Sequence, residues 1–266
     1  MKIKHLFKFP FLNLKKIINI LKIEFYEYKN PIKKRYESLL KTYKLCELNK
    51  DRKYYIGIID EILKELGLPI YDESEGMYSE HLIIFAAISE SNLKIKNILE
   101  IGTFDGKTAT ILAKLFPDSE VKTIDLRDND PIFINSYARK NNAKEFIRKR
   151  NTLISRSKKI NFIQLNSLEL SLRNELPKQD LIWVDGAHGY PIVASDITNA
   201  VGLMHEESIL MCDDIFKRGK KYDSLYVSAA GFETLSAFRD AAILENYFFS
   251  KRIGKNGVSP MDYDKI

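Results

Sequence analysis

The residues of this chain with chemistry to offer stand where apolar runs end. Val121-Lys-Thr-Ile-Asp125 closes on a carboxylate, and Asp180-Leu-Ile-Trp-Val-Asp185 closes on another, followed by Gly186-Ala-His188. Ser208-Ile-Leu-Met-Cys-Asp213-Asp214 closes on an acid pair. In an open α/β sheet, ligands sit beyond the carboxyl ends of the strands, so such residues converge from neighbouring strands onto one crevice. Three carboxylates brought together as Asp185, Asp213 and Asp214 repel unless protonated or bridged by a cation. An oxygen-rich set of this kind suits Mg²⁺, Mn²⁺ or Ca²⁺ rather than a soft metal.

The stretch Asn97-Ile-Leu-Glu-Ile-Gly-Thr-Phe-Asp-Gly-Lys-Thr108 is the element that must bring a ligand to these acids. Ile98, Leu99 and Ile101 are β-favouring and apolar and read as a buried strand. Gly102 and Gly106 bracket a tight turn in which a side chain would block a ligand. Lys107 to Leu115 reads as a helix with Ile111, Leu112 and Leu115 on one face. A helix that begins at such a turn directs its unpaired N–H groups beyond the strand end. Asp125 then ends the second strand, a place suited to a ribose diol. The glycine spacing is Gly102-x-x-x-Gly106, with Phe at position 104. It fails the G-x-G-x-x-G dinucleotide fingerprint and disfavours a nicotinamide dehydrogenase.

Glu100-Ile-Gly-Thr-Phe-Asp-Gly-Lys-Thr-Ala109 resembles the first motif of class I S-adenosylmethionine-dependent methyltransferases. The resemblance implies that Glu100, Gly102, Thr103, Phe104, Asp105, Gly106 and Thr108 form the cofactor loop. In that family the glycine turn passes under the methionine part and the acid at Asp125 holds the ribose. It also implies Asn166 and Ser167, after the third strand, at the adenine, and Met77, in Glu75-Gly-Met77, in a segment that closes over the cofactor. Asp180 to Tyr190 and Met211-Cys-Asp-Asp-Ile215 are similar to the matching segments of cation-dependent O-methyltransferases and of related bacterial sugar and small-molecule methyltransferases. In catechol-type members those positions hold the metal, which maps the ligands to Asp185, Asp213 and Asp214. The general base there lies three residues after the first acid, at His188, where catechol-type enzymes carry lysine. A second departure is His205-Glu-Glu-Ser208, which stands where the family has a Gly-Gly turn before its fifth strand.

The supporting elements are legible as periodic runs. Lys53–Leu66 reads as a helix stopped by Gly67 and Pro69, and Ser79 as the cap of a helix carrying Leu82, Ile83, Phe85 and Ile88. Further helices are expected over Ala138–Asn151, Tyr190–Leu203 and Glu233–Leu244. Strands are expected over Ile160–Leu165, Asp180–Asp185, Ser208–Asp214 and Asn246–Ser250. Strands alternating with helices predict a doubly wound, mostly parallel seven-stranded α/β sheet covered on both faces, of the class I methyltransferase, Rossmann-like type.

The chain has 266 residues and a net charge of +6, and that charge is unevenly placed. Residues 1–50 carry 13 Lys/Arg against 4 Asp/Glu, so the rest of the chain is slightly acidic. Two divisions follow: a basic, amphipathic helical extension over residues 1–70 and a methyltransferase domain over residues 71–266. Leu14, Ile17, Ile18, Leu21 and Phe25 keep helical spacing among the lysines. Residues 1–30 thus suit either peripheral contact with an anionic membrane or packing on the body or on a second subunit of a homo-oligomer. No run is long enough to span a bilayer. Positive charge confined to the arm argues against nucleic acid as substrate. Cys46 and Cys212 offer no disulfide framework, and a cytoplasmic location is expected. The first functional reading is metal-assisted methyl transfer from S-adenosylmethionine to a hydroxyl of a small polar acceptor such as a sugar or glycan, with His188 and Asp185 as the catalytic groups. The alternatives are a metal-free or N-directed methyltransferase, or an inactive cofactor-fold module that binds a partner or membrane.

Overall fold

The computed structural model describes residues 50–72, 80–136, 139, 141–173, 176–215 and 229–247. The expectations for residues 1–30, Glu75, Gly76, Met77, Ser79 and residues 248–250 lie outside these residues. Five strands form one parallel sheet: β1 Asn97–Ile101, β2 Glu120–Asp125, β3 Ile160–Gln164, β4 Gln179–Val184 and β5 Met204–Cys212. Their order is β3-β2-β1-β4-β5, with every neighbouring pair parallel. The parallel α/β sheet is therefore as expected, with five of the seven expected strands among the described residues. Asn246 and Tyr247, expected to open a late strand, are irregular.

The helices are α1 Arg52–Leu66, α2 Glu80–Ser89, α3 Lys107–Leu115, α4 Pro131–Asn135, α5 Ala143–Ile154, α6 Ile192–Gly202 and α7 Ala230–Asp240. Side chains alternate across a strand, so β1 feeds two cores. Ile98 joins Val121, Leu181 and Trp183 beneath α1, α2 and α3. Leu99 and Ile101 join Ile124, Ile182 and Val184 with Ala200 of α6.

Helix α1 starts where Asp51 accepts a hydrogen bond from the Tyr54 amide, and it ends at Gly67, whose left-handed φ of 69° closes the cap. Its Tyr55, Ile59, Leu63 and Leu66 are buried in the same core as the sheet. Each such side chain contributes about 1.5–3 kcal/mol by burial. The exposed Lys114–Glu65 ion pair at 2.8 Å adds at most about 1 kcal/mol. Apolar packing, not surface charge, ties α1 to the body.

Two boundaries depart from the expectation. Helix α5 opens at Ala143, later than the expected Ala138, and its Arg150 is wholly buried although the region reads as polar. Strand β5 starts at Met204, so His205-Glu-Glu-Ser208 lies inside it rather than before it. The register slips there, from Gln179 opposite Met204 to Leu181 opposite Ile209. Side chains close the irregularity. Ser208 Oγ donates to the Gln179 carbonyl at 2.7 Å, and the His205 imidazole meets Asp180 Oδ1 at 2.8 Å. Asp180 Oδ2 accepts from the Lys96 and Asn97 amides at 2.7 Å each.

Candidate functional site

The strand order reverses at the centre of the sheet. From β1 the chain winds outward through β2 to β3, then crosses back to β4 on the other side of β1. The carboxyl ends of β1 and β4 therefore flank the switch point, the place where open α/β sheets bind ligands. The loop after β1 is the glycine turn, and the loop after β4 begins at Asp185.

These two loops touch. The Asp185 amide donates to the Ile101 carbonyl at 2.9 Å. Gly102 has φ 105°, and a Cβ there would lie 2.3 Å from the Asp185 carbonyl oxygen and 2.8 Å from Gly186 Cα. The space beside Gly102 is thus filled by protein backbone, which corrects the expectation that a side chain would meet a ligand. Gly106 has φ 78°, and its Cβ would lie 2.8 Å from Ile154 Cγ1 of α5. Both glycines are required by left-handed backbone and by close packing. Between them Phe104 takes φ 46°, uncommon for a side chain of that size. Asp105 accepts from the Lys107 amide at 3.1 Å and pairs with its ammonium at 2.8 Å. Thr108 is half-buried in the first turn of α3.

Two of the expected cofactor residues lie under the turn rather than on it. Glu100 is 1 % exposed and Thr103 is buried. Thr123 donates to Glu100 Oε2, and the Thr103 and Thr123 hydroxyls are 2.6 Å apart. Burial pushes the Glu100 carboxyl up to about 8, opposed by the Thr123 hydrogen bond and reinforced by Asp125 and Asp105. Burial thus favours the protonated carboxyl at Glu100. Asp125 is half-buried at the end of β2. Its Oδ2 accepts from the Phe104 amide at 2.9 Å and its Oδ1 from the Leu126 amide at 2.8 Å. Burial pushes its carboxyl above the usual carboxylate range, while those two amides and the charges of Arg139 and Arg150 act the other way. A carboxylate oxygen carries two lone pairs, so both remain able to accept a ligand hydroxyl. Past β3, Asn166 is exposed and its side chain accepts from the Leu168 amide at 3.1 Å, opening a 3-10 turn over Ser167–Leu172.

Across the crevice, His188 Nε2 lies 3.7 Å from Asp185 Oδ1 and 3.8 Å from Asp214 Oδ2. The imidazole thus sits between the ends of β4 and β5. The Asp213 amide anchors to the Val184 carbonyl at 2.9 Å, and Asp214 turns the chain with φ 49°. The expected cation set is not drawn together here. Among the described residues no group of three His, Cys, Asp or Glu side chains is arranged to hold a metal.

Two further groups escaped the sequence reading. Asp196 on α6 is 1 % exposed. A Cβ on Gly186 would lie 3.4 Å from its Oδ2, which places it beneath the β4 loop. Burial pushes its carboxyl up to about 6, partly offset by the Ser167 hydroxyl. A signal existed: Val193, Asp196, Ile197 and Ala200 are the buried residues of α6 and keep the i, i+3, i+4, i+7 spacing of one face, with one acid in an apolar stripe. Arg139 is buried among phenylalanine rings. Its sequence neighbourhood is polar and gave no sign of it.

Residues 99–215 match the family described as a methyltransferase domain. No curated protein matches the chain. Among solved structures, a Staphylococcus aureus protein assigned as a caffeoyl-CoA O-methyltransferase is 18 % identical, covering 76 % of this chain and 90 % of its own, with a TM-score of 0.45. A Klebsiella pneumoniae protein assigned as an O-methyltransferase is 17 % identical, covering 79 % and 87 %, with a TM-score of 0.44. The O-methyltransferase TomG from Streptomyces achromogenes, involved in tomaymycin synthesis, is 14 % identical, covering 81 % and 89 %, with a TM-score of 0.42. The weight rests on the family match, which spans both loops of the crevice and every strand-end acid described above. Over residues 99–215 the chain is thus similar to the methyltransferase-domain family.

Proposed function

We propose that the protein transfers a methyl group from S-adenosylmethionine to a hydroxyl of a small polar acceptor, with a sugar or glycan as the acceptor class to test first. The observation that carries this reading is the meeting of two loops at the switch point. One is the glycine turn, tied to Asp125 at the end of β2 through the Phe104 amide, and the other presents His188 between Asp185 and Asp214. The glycine turn and Asp125 would bind the cofactor, Asp125 accepting from the ribose diol and Asn166 and Ser167 bordering the adenine. The sulfonium methyl is already activated, so the protein's task is to hold acceptor oxygen, methyl carbon and sulfur in line. Neutral His188 takes the acceptor's proton as the oxygen attacks. The resulting imidazolium lies between two carboxylates, which stabilise it.

A second reading places a divalent cation such as Mg²⁺ at Asp185, Asp213 and Asp214. Its support is positional, since the acids end adjacent strands β4 and β5. Such an ion would act as a Lewis acid that lowers the pKa of a bound hydroxyl. The two readings separate in one assay with labelled S-adenosylmethionine and a panel of hydroxyl and amine acceptors. The first predicts that turnover survives exhaustive EDTA and that His188→Ala lowers the maximal rate by about 10²–10⁴-fold while cofactor affinity holds. Loss of turnover in EDTA, restored by Mg²⁺, would establish the second. Transfer to amines alone would overturn the hydroxyl assignment.

A further inference from the structure

Phe104 stands in the glycine turn with φ 46°, a left-handed conformation that a Cβ disfavours and that turns usually give to glycine. The Gly106 amide closes the turn on the Thr103 carbonyl at 2.9 Å. The conformation has a use. It brings the Phe104 amide to Asp125 Oδ2 at 2.9 Å, so the turn orients the acid at the end of β2. A bulky residue persists in such a conformation only when its surroundings over-determine it.

Those surroundings are a cage of rings and one face of α5. The Phe104 ring lies 5.1 Å from that of Phe146, centre to centre, tilted by 57°. Phe146 meets Phe133 edge to face at 6.3 Å, and Phe133 is wholly buried. Arg139, 6 % exposed, closes the cage. Its guanidinium carbon lies 4.2 Å from the ring centre of Phe133, 5.4 Å from that of Phe104 and 5.5 Å from that of Phe146. Helix α5 also braces the other end of the turn. A Cβ on Gly106 would lie 2.8 Å from Ile154 Cγ1 and 3.4 Å from Arg150 Cγ. Phe146, Arg150 and Ile154 follow one another at i, i+4 and i+8, so a single face of α5 runs along the turn from Phe104 to Gly106.

We infer that Phe146 is a positioning residue for the cofactor: by gripping the Phe104 ring it holds the glycine turn in the left-handed form whose amide orients Asp125. The consequence for the cofactor rests on the methyltransferase reading above, whereas the grip on the turn does not. Phe146 lies on α5, outside the turn and the helix that follows it, and acts through Phe104. Its removal frees the ring, and the turn relaxes toward the backbone conformations that a side chain at position 104 prefers. The Phe104 amide then leaves Asp125, and the acid loses one of the two donors that fix it for a ribose diol. A purely structural phenylalanine would instead lower the melting temperature and leave the folded turn and its affinity unchanged.

Two measurements separate these roles: hydrogen exchange of the Phe104 amide in the ligand-free protein, and calorimetric titration with S-adenosylhomocysteine. Phe146→Ala should speed the exchange and weaken binding, each by about two- to tenfold, the worth of one aromatic pair. Phe146→Tyr, which keeps a ring, should match wild type. In a Phe104→Gly background no ring is gripped and left-handed backbone carries no penalty, so Phe146→Ala should add nothing to either loss. Unchanged exchange or unchanged affinity in Phe146→Ala, or an effect undiminished beside Phe104→Gly, overturns the inference and leaves the methyltransferase reading intact. If Phe146→Ala fails to fold, Phe104→Ala decides, since it keeps the Cβ and loses the ring: wild-type exchange and affinity there overturn the inference. Wild-type protein that binds no S-adenosylhomocysteine overturns the methyltransferase reading, and the cofactor role of Phe146 with it, while the exchange data test the grip on the turn in either case.

Discussion

Burial favours the protonated form of Glu100, and this changes what the residue can be. A buried carboxyl pushed up to about 8 is a hydrogen-bonding spacer under the glycine turn, linked to Thr123 and Thr103, rather than a charge offered to a ligand. The linkage has a definite sign. The unfolded carboxyl ionises near its ordinary value of 4.5 and the folded one at about 8. The stability attached to the protonated form is therefore fully present below about 4.5 and is lost as pH rises through 8. Glu100→Gln has no proton to lose, so its melting temperature should overtake wild type as pH rises from 5 to 9. The difference at the alkaline end should be of order a few kcal/mol. Parallel pH–stability curves for the two proteins would show that Glu100 is ionised in the fold.

At the scale of elements, the glycine turn is wedged against the start of the β4 loop. A Cβ on Gly102 would lie 2.3 Å from the Asp185 carbonyl oxygen, which is backbone and cannot swing aside. Gly102→Ala should therefore lower unfolding stability by about 2–4 kcal/mol, measured in urea. Gly57→Ala on α1, where nothing lies within 4 Å, should leave stability unchanged or raise it by up to about 1 kcal/mol. Unchanged stability with lost cofactor binding in Gly102→Ala would return Gly102 to a ligand-facing role.

The same contact explains what could be read in advance. Ile98 to Ile101, Leu181 to Val184 and the helix Lys107–Leu115 were legible because apolar runs and 3.6-residue spacing report burial directly. The strand-end acids were legible because strand ends follow from strands. The early start of β5 was not, since His205 to Ser208 is polar and is held by Asp180 and the Gln179 carbonyl, contacts between distant parts of the chain. Nor was the Arg139 cage, whose rings come from positions 104, 133 and 146 and meet only in the fold. The metal expectation rested on acids sharing an edge of the sheet. Sharing an edge does not fix side-chain direction, and His188 stands between Asp185 and Asp214.

For the whole molecule, one crevice organises the parts. A five-stranded parallel sheet reverses its winding between β1 and β4. At that point the glycine turn and Asp125 face the loop of Asp185 and His188. Helices α1 to α3 back one face of the sheet, and α6 backs the other with Asp196 beneath the β4 loop. None of the described helices is long and apolar enough to cross a membrane. This arrangement makes a claim about cofactor choice before any acceptor is known. The glycine spacing departs from the dinucleotide fingerprint, and the proposed cofactor is S-adenosylmethionine. The direct measurement is calorimetric titration of the full chain, in parallel, with S-adenosylmethionine and with NAD, repeated on Asp125→Ala. Saturable binding of S-adenosylmethionine, weakened by about 1–3 kcal/mol in Asp125→Ala, with no binding of NAD, is the predicted result. Saturable binding of NAD without S-adenosylmethionine, or S-adenosylmethionine binding unchanged in Asp125→Ala, would contradict it.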